Sequence, residues 1–254
     1  MNPVAQEKLF EIIFEDADLL VINKPAGLVC HPTKTDAFSS LIGRVRLHLG
    51  PGVRPQLVNR LDRETSGVVL VAKQEEAARQ LRRLWEQRRV CKEYLAIVHG
   101  RVAEPHGVID APLGKDERSR IAIKDCVRLD GAPARTDYWT EHAAASFSLL
   151  RIQPLTGRKH QIRIHLAHLG HPLVGEKLYG GDEDLYLALV ENRMTDAQRR
   201  RLLLPHHALH AATVRFTWAN RPLTFSAEPE PWFVDFCRKK ICSSALSVVK
   251  TPGC

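Results

Sequence analysis

NRLDRETSGVVLVAK, Asn59 to Lys73, runs from a polar turn into an unbroken apolar stretch. Asp62 stands between Arg60 and Arg63, and Thr65-Ser66-Gly67 supply residues that favour a change of chain direction. Val68, Val69, Leu70, Val71 and Ala72 follow without a polar interruption, the pattern of a strand buried on both faces. A carboxylate between two cations, in a turn that feeds a buried strand, is where a catalytic acid would sit. Taken alone, an ordinary surface salt bridge is the better explanation of one aspartate beside an arginine, and the rest of the chain shifts that balance.

Working outward, Leu9 to Phe14 and Leu19 to Asn23 read as strands, and Lys24-Pro25-Ala26-Gly27 as the turn after them. Ser39 to Leu49 reads as a helix. Glu75 to Val90 is the clearest helix, with Ala77, Leu81, Leu84 and Trp85 on one face, acids at its start and arginines at its end. Lys92 to Val98 alternates, which places Tyr94, Ala96 and Val98 on one face of a strand with small neighbours beside the ring. Arg135 to Thr140 and Phe147 to Pro154 form a further strand pair. Gln161 to Leu169 is a helix with Ile162, Leu166 and Leu169 inward, stopped by Gly170. Two short helices follow at Asp184 to Arg193 and Thr195 to Leu204, the second capped by Thr195. Strands at Ala211 to Phe216 and Leu223 to Ala227 and a helix at Pro231 to Lys240 complete the chain. Strands and helices mix without regular alternation, so the expected class is α+β with a large mixed or antiparallel central sheet flanked by helices.

The chain has 254 residues, and no linker, repeat or low-complexity tract divides it. One catalytic domain over residues 1–242, with its core at about 10–235, is expected, followed by a flexible tail at 243–254. No apolar run exceeds six residues, far short of the roughly 20 that cross a bilayer, and no signal-peptide core precedes Lys8. A cytoplasmic, membrane-free protein is expected. Six scattered cysteines without a CxxC pair argue for reduced thiols over a zinc ribbon or disulfide framework. Lysine and arginine outnumber acids by 37 to 29, a net charge of +8 and a pI near 9.3, which suits a polyanionic partner. The excess gathers at Arg79, Arg82, Arg83, Arg88 and Arg89, read as one helix, and around Arg158, Lys159 and Arg163.

Arg60-Leu61-Asp62 followed by Thr65-Ser66-Gly67 resembles the signature of the RNA pseudouridine synthases, the family that includes the bacterial large-subunit ribosomal RNA and transfer RNA enzymes. NKPAGLVCHP (Asn23 to Pro32), KEYLAIVHG (Lys92 to Gly100) and LTGRKHQIRIHLAHLGHPLVGEKLYGG (Leu155 to Gly181) match the same family in order, and ALHAATVRF (Ala208 to Phe216) matches a closing strand. The resemblance implies a central sheet carrying an RNA-binding cleft and a redox-neutral isomerisation of uridine that needs no cofactor. It implies that Asp62 is the catalytic aspartate, acting at the ribose of a flipped-out uridine. Direct attack on the sugar and removal of its 2′ proton both remain open. It further implies that Arg163 pairs with that carboxylate, that Tyr94 lies against the target base, and that Arg60 contacts RNA where the base has left its stack. Leu61 or Ile164 would help to pack the pocket. Asn59 stands where many relatives carry histidine. Arg82, Arg83, Arg158 and Lys159 are expected to contact phosphates, and RNA, as a transfer or ribosomal stem-loop, is the expected partner of a monomer. Only 22 residues precede Asn23, so no separate N-terminal RNA-binding domain is expected.

Two other classes compete. A metal-dependent RNA hydrolase would use the recurring His165, His168 and His171 or the later His206, His207 and His210, but no HExxH and no acidic ligand set accompany them. A non-catalytic RNA-binding module would explain the charge, but not three separate motif positions filled by Asp62, Tyr94 and Arg163.

Overall fold

The computed structural model describes residues 10–32 and 39–242. Leu9 and the expected tail lie outside the described residues. Two compact units make up the chain, Met1–Val90 with Thr213–Glu228 and Cys91–Ala212 with Pro229–Cys254.

In the first unit, β1 (Glu11–Glu15) turns back antiparallel onto β2 (Leu19–Lys24). Asp16 shapes that turn: its carboxylate accepts from the backbone N–H of Asp18 at 2.9 Å and of Leu19 at 2.7 Å. Helix α1 (Leu41–Leu49) starts at Ser40, whose hydroxyl accepts from the Gly43 N–H. The two-residue β3 (Gln56–Leu57) pairs with β4 (Ser66–Ala72), which also pairs with β2 from Leu19 opposite Ala72 to Lys24 opposite Gly67. Every residue of β4 is buried, as its unbroken apolar run predicts. Helix α2 (Glu75–Glu86) lays Ala77, Ala78, Leu81 and Leu84 onto Val68, Leu70 and Ala72 of β4.

The second unit takes up β5 (Val90–His99), β6 (His106–Asp110), the hairpin β7 (Leu113–Lys115) and β8 (Asp125–Val127), then β9 (Arg135–Ala143) and β10 (Phe147–Pro154). β10 lies antiparallel between β5 and β9, and β6 pairs with the far side of β9. Tyr94, Ala96 and Val98 do share a face of β5. They pack with Leu150, Ile152, Tyr138 and with Ile162 and Leu166 of α3 (Gln161–His168). The opposite face, Leu95 and Ile97, meets Phe233, Phe236 and Cys237 of the last helix. Helices α4 (Glu183–Val190) and α5 (Asp196–Leu202) follow, the latter opened by a Thr195–Gln198 capping box. Strand β11 (Leu209–Trp218) begins in this unit and ends in the first, where it pairs antiparallel with β12 (Arg221–Ser226). Helix α6 (Pro231–Lys240) returns to the second unit.

The class is α+β, as expected, with four departures in detail. Helix α2 stops at Glu86, because Arg88 takes φ +57° and Val90 already begins β5, so Arg88 and Arg89 belong to a turn. Leu169 is exposed just beyond α3 instead of inward. Strands β3, β6, β7 and β8 carry too few alternating residues to be read in advance. Cys30, Cys126, Cys237 and Cys242 are free thiols, but Cys91 is disulfide-bonded, which corrects the expectation of reduced thiols there. Among the described residues, no helix is long and apolar enough to cross a membrane.

Candidate active site

The first unit braces the loop that carries Asp62 from behind. Lys24, at the end of β2, is wholly buried, and its ammonium donates to the carbonyls of Pro25 at 2.8 Å, Leu28 at 2.9 Å and Arg63 at 3.2 Å. Gly27, at φ +86°, donates its N–H to the Arg63 carbonyl at 2.8 Å, and the Arg63 side chain returns a bond to the Gly27 carbonyl at 3.2 Å. Cys30 grips the peptide on the other side: its thiol donates to the Leu61 carbonyl at 3.4 Å and accepts from the Leu61 N–H at 3.5 Å. Burial pushes the Cys30 thiol pKa up, against the lowering pull of Leu61, Lys24 and Arg60. Asn59 ties the loop to β4, donating to the Val68 carbonyl at 3.1 Å and accepting from the Leu70 N–H at 2.8 Å. The NKPAGLVC segment is thus a brace for the turn that contains Asp62. The peptides on both sides of Asp62 are held, and its side chain is half-buried. Arg60 is exposed beside it.

In the second unit, Tyr94 is half-buried on β5, opposite Ile152 of β10. Arg163 is buried on α3, not on a helix surface. A chain of buried polar groups sets the start of that helix. The Gln161 amide donates to the Arg135 carbonyl and the Thr136 hydroxyl, both at 2.9 Å, and its oxygen accepts from the Thr156 hydroxyl at 2.6 Å and the Arg158 N–H at 3.1 Å. His165 Nε2 lies 2.9 Å from the Ala111 carbonyl, which can only accept, so Nε2 carries the proton and Nδ1 accepts from the Thr136 hydroxyl at 2.8 Å. Desolvation pushes the His165 pKa down, outweighing the Ala111 bond, so the ring is neutral in this setting.

Arg163 is held from two sides. Its Nε donates to Glu176 Oε2 at 2.8 Å and its Nη2 to Oε1 at 2.7 Å, and its guanidinium lies 5.1 Å from the Tyr179 ring centroid. Glu176 Oε1 also accepts from the N–H of Leu178 at 2.8 Å and of Tyr179 at 3.3 Å. Burial alone would raise the Glu176 pKa. The charge and hydrogen bonds of Arg163, the charge of His207 and the Leu178 N–H outweigh it and hold the carboxyl well below its ordinary range. Tyr179 Oη lies 2.8 Å from His160 Nδ1, and burial pushes the phenol pKa up.

Of the expected residues, Asp62, Arg60, Arg82 and Arg83 belong to the first unit, and Tyr94, Arg163, Arg158 and Lys159 to the second. Arg82 and Arg83 are exposed on α2, with Arg82 donating to Gln56 at 2.5 Å. Arg158 and Lys159 are exposed in the loop before α3, one bonded to the Pro133 carbonyl at 3.2 Å and the other paired with Asp125 at 2.8 Å. Leu61 and Ile164 are both buried. The histidine pattern separates: His165 is buried in the Thr136 network and His168 is exposed. No group of three or more metal-ligating side chains occurs among the described residues. Sequence reasoning missed Lys24, Gln161 and Glu176. Lys24 had a visible signal, a lysine closing the apolar run LLVINK, whereas nothing in HPLVGEKLYGG marks Glu176 as buried.

Comparison with known proteins agrees with this arrangement of motifs. A family described as RNA pseudouridylate synthase matches residues 18–168. The chain is 39% identical over 212 residues to ribosomal large subunit pseudouridine synthase D of Nitrosomonas europaea, covering 82% of this chain and 58% of that protein. It is 37% identical over 189 residues to the dual-specificity RNA pseudouridine synthase RluA of Salmonella typhimurium, covering 74% of this chain and 84% of that one. Several relatives are longer: the match to an uncharacterized RNA pseudouridine synthase of Chloroflexus aurantiacus, at 44% identity, takes in 62% of this chain but 51% of the relative. Among solved structures, human RNA Pseudouridylate Synthase Domain Containing 4 superposes with a TM-score of 0.71 at 27% identity, covering 90% of this chain and 92% of that one. A family match over more than half of the chain, relatives above 30% identity and a shared fold together place this chain in the RNA pseudouridylate synthase family.

Proposed function

We propose that the chain isomerises uridine to pseudouridine in structured RNA, a stem-loop of transfer or ribosomal RNA, with Asp62 acting at the ribose of a uridine turned out of its stack. The observation that carries this reading is the Asp62 loop, clamped at the peptides on both sides while Asp62 between them is only partly buried. A nucleophile or base that must meet one sugar atom needs such fixed geometry.

The reaction breaks the bond from C1′ to N1 and forms one from C1′ to C5. The C5 proton leaves and N1 gains one, so atoms and electrons balance without an oxidant or cofactor. Asp62 engages the sugar while the base detaches. Tyr94 presents its ring to the uracil and its hydroxyl to the proton that must leave. Arg163 keeps the aspartate ionised and oriented. Turning the uridine out costs a few kcal/mol, and Arg60 fills the space it leaves. Arg82, Arg83, Arg158 and Lys159 hold phosphates. A relative named for the ribosomal large subunit supports ribosomal RNA as a substrate class. Residues 1–242 act as one catalytic domain, as a monomer in the cytoplasm.

Purified protein should release tritium from transcribed RNA labelled at uridine C5, with the released count equal to the pseudouridine formed. Asp62→Asn should bind the same RNA and release none. Binding without release by the wild type on every ribosomal and transfer RNA fragment would instead make the chain an RNA-binding module.

A further inference from the structure

We infer that Glu176 and Tyr179 are positioning residues that hold the Arg163 guanidinium as a fixed cation at the reacting uridine, an inference that rests on the reading of Arg163 given above.

Four hydrogen bonds converge on the Glu176 carboxylate, two from Arg163 and two from the backbone N–H groups of Leu178 and Tyr179. Its side chain is 1% exposed, and that of Arg163 is 8% exposed. The backbone bonds matter because they fix the carboxylate itself, so the guanidinium is anchored to main chain through one intermediary. A guanidinium bound side-on through Nε and Nη2 directs its end-on pair of N–H groups away from that partner, toward any second anion. The Arg163 guanidinium carbon lies over the Tyr179 ring, 5.1 Å from its centroid, and the Tyr179 hydroxyl is tethered to His160 at the N-cap of the same helix that carries Arg163. Rotation of the guanidinium would break both contacts. Glu176 also offsets the charge of a cation that is buried before any substrate arrives.

The test measures kcat under single-turnover conditions and RNA Kd separately, for Glu176→Gln, Glu176→Asp and Arg163→Ala. Glu176→Gln keeps an oxygen for the Leu178 and Tyr179 N–H groups but cannot bind Arg163 as a bidentate anion. Its kcat should fall by about tenfold to a hundredfold with Kd unchanged within about twofold, as expected when an orienting contact is lost. Glu176→Asp, which keeps the charge, should recover part of that loss. In Arg163→Ala, guanidinium ion on the order of tens of millimolar, well below denaturing levels, should restore part of the activity. In the Arg163→Ala, Glu176→Gln double variant it should restore none.

If Glu176→Gln does not fold, Tyr179→Leu, which removes the ring and leaves the carboxylate, carries the test, with about a fivefold or greater fall in kcat at constant Kd expected. A Glu176→Gln enzyme with wild-type kcat, or equal guanidinium rescue with and without Glu176, would overturn the inference while Arg163→Ala stays inactive. An active Arg163→Ala enzyme would instead remove the reading of Arg163 on which it rests.

Discussion

Lys24 shows how much of the candidate site depends on a residue with no exposed surface. Its ammonium organises three carbonyls, one of them beside Asp62. Lys24→Met keeps the volume and removes the ammonium from those carbonyls, of which only that of Arg63 keeps a second donor among the described residues, the Gly27 N–H, so stability should fall by about 3 kcal/mol, read as a lower denaturant midpoint. Activity should fall more than RNA binding does. His165 gives a pH signature with a definite sign. Its pKa is depressed below the ordinary 6.5 in the fold, so the unfolded chain binds the extra proton first. Its contribution to stability is therefore complete above about pH 6.5 and declines as pH falls below that, by at most about 1.4 kcal/mol per unit. Denaturant titrations of wild type and His165→Gln between pH 5 and 7 should show the steeper loss in wild type; parallel curves would contradict a neutral buried ring. Glu176 acts lower, since its depressed pKa keeps its contribution intact until pH falls below the ordinary carboxylate value of 4.5.

Helix α3 carries the buried Arg163 on which the proposed chemistry of the second unit depends, and it was only partly legible. Gln161 through Leu166 are all buried, so QIRIHL has no polar face to give it away. Its position was readable from the motif around it, but the reason it can bury glutamine, arginine and histidine together was not, because Thr136 and Glu176 are distant in sequence. Thr136→Val leaves His165 Nδ1 without its donor and Gln161 without one acceptor, and should lower stability by about 2 kcal/mol. It should also reduce kcat at constant RNA affinity, since α3 carries Arg163. Strand β4 is the opposite case: Val68 to Ala72 has no polar alternative in sequence and is buried throughout in the fold. The end of α2 was misread because a left-handed Arg88 has no composition signal, whereas a glycine there would have been visible. The Asp62 turn was legible as a turn, but its bracing by Lys24 and Cys30 joins segments more than thirty residues apart.

At the scale of the whole molecule, a net charge of +8 would set how the chain meets RNA under the proposed function. Affinity should fall with salt, and removing one phosphate contact should make the slope of log K against log salt shallower by about one. Arg83→Ala, on the exposed side of α2, should do this without altering kcat on bound RNA. An unchanged slope would remove Arg83 from the RNA surface. Arg88 and Arg89, in the turn that follows, give the same comparison at a neighbouring position. The proposed role of Asp62 as the catalytic carboxylate of an RNA uridine isomerase is tested most directly by a pseudouridine map of total RNA from cells lacking the protein, restored with wild type or Asp62→Asn. One or a few sites should disappear, and only the wild type should bring them back; recovery of those sites by Asp62→Asn would contradict a catalytic role for Asp62.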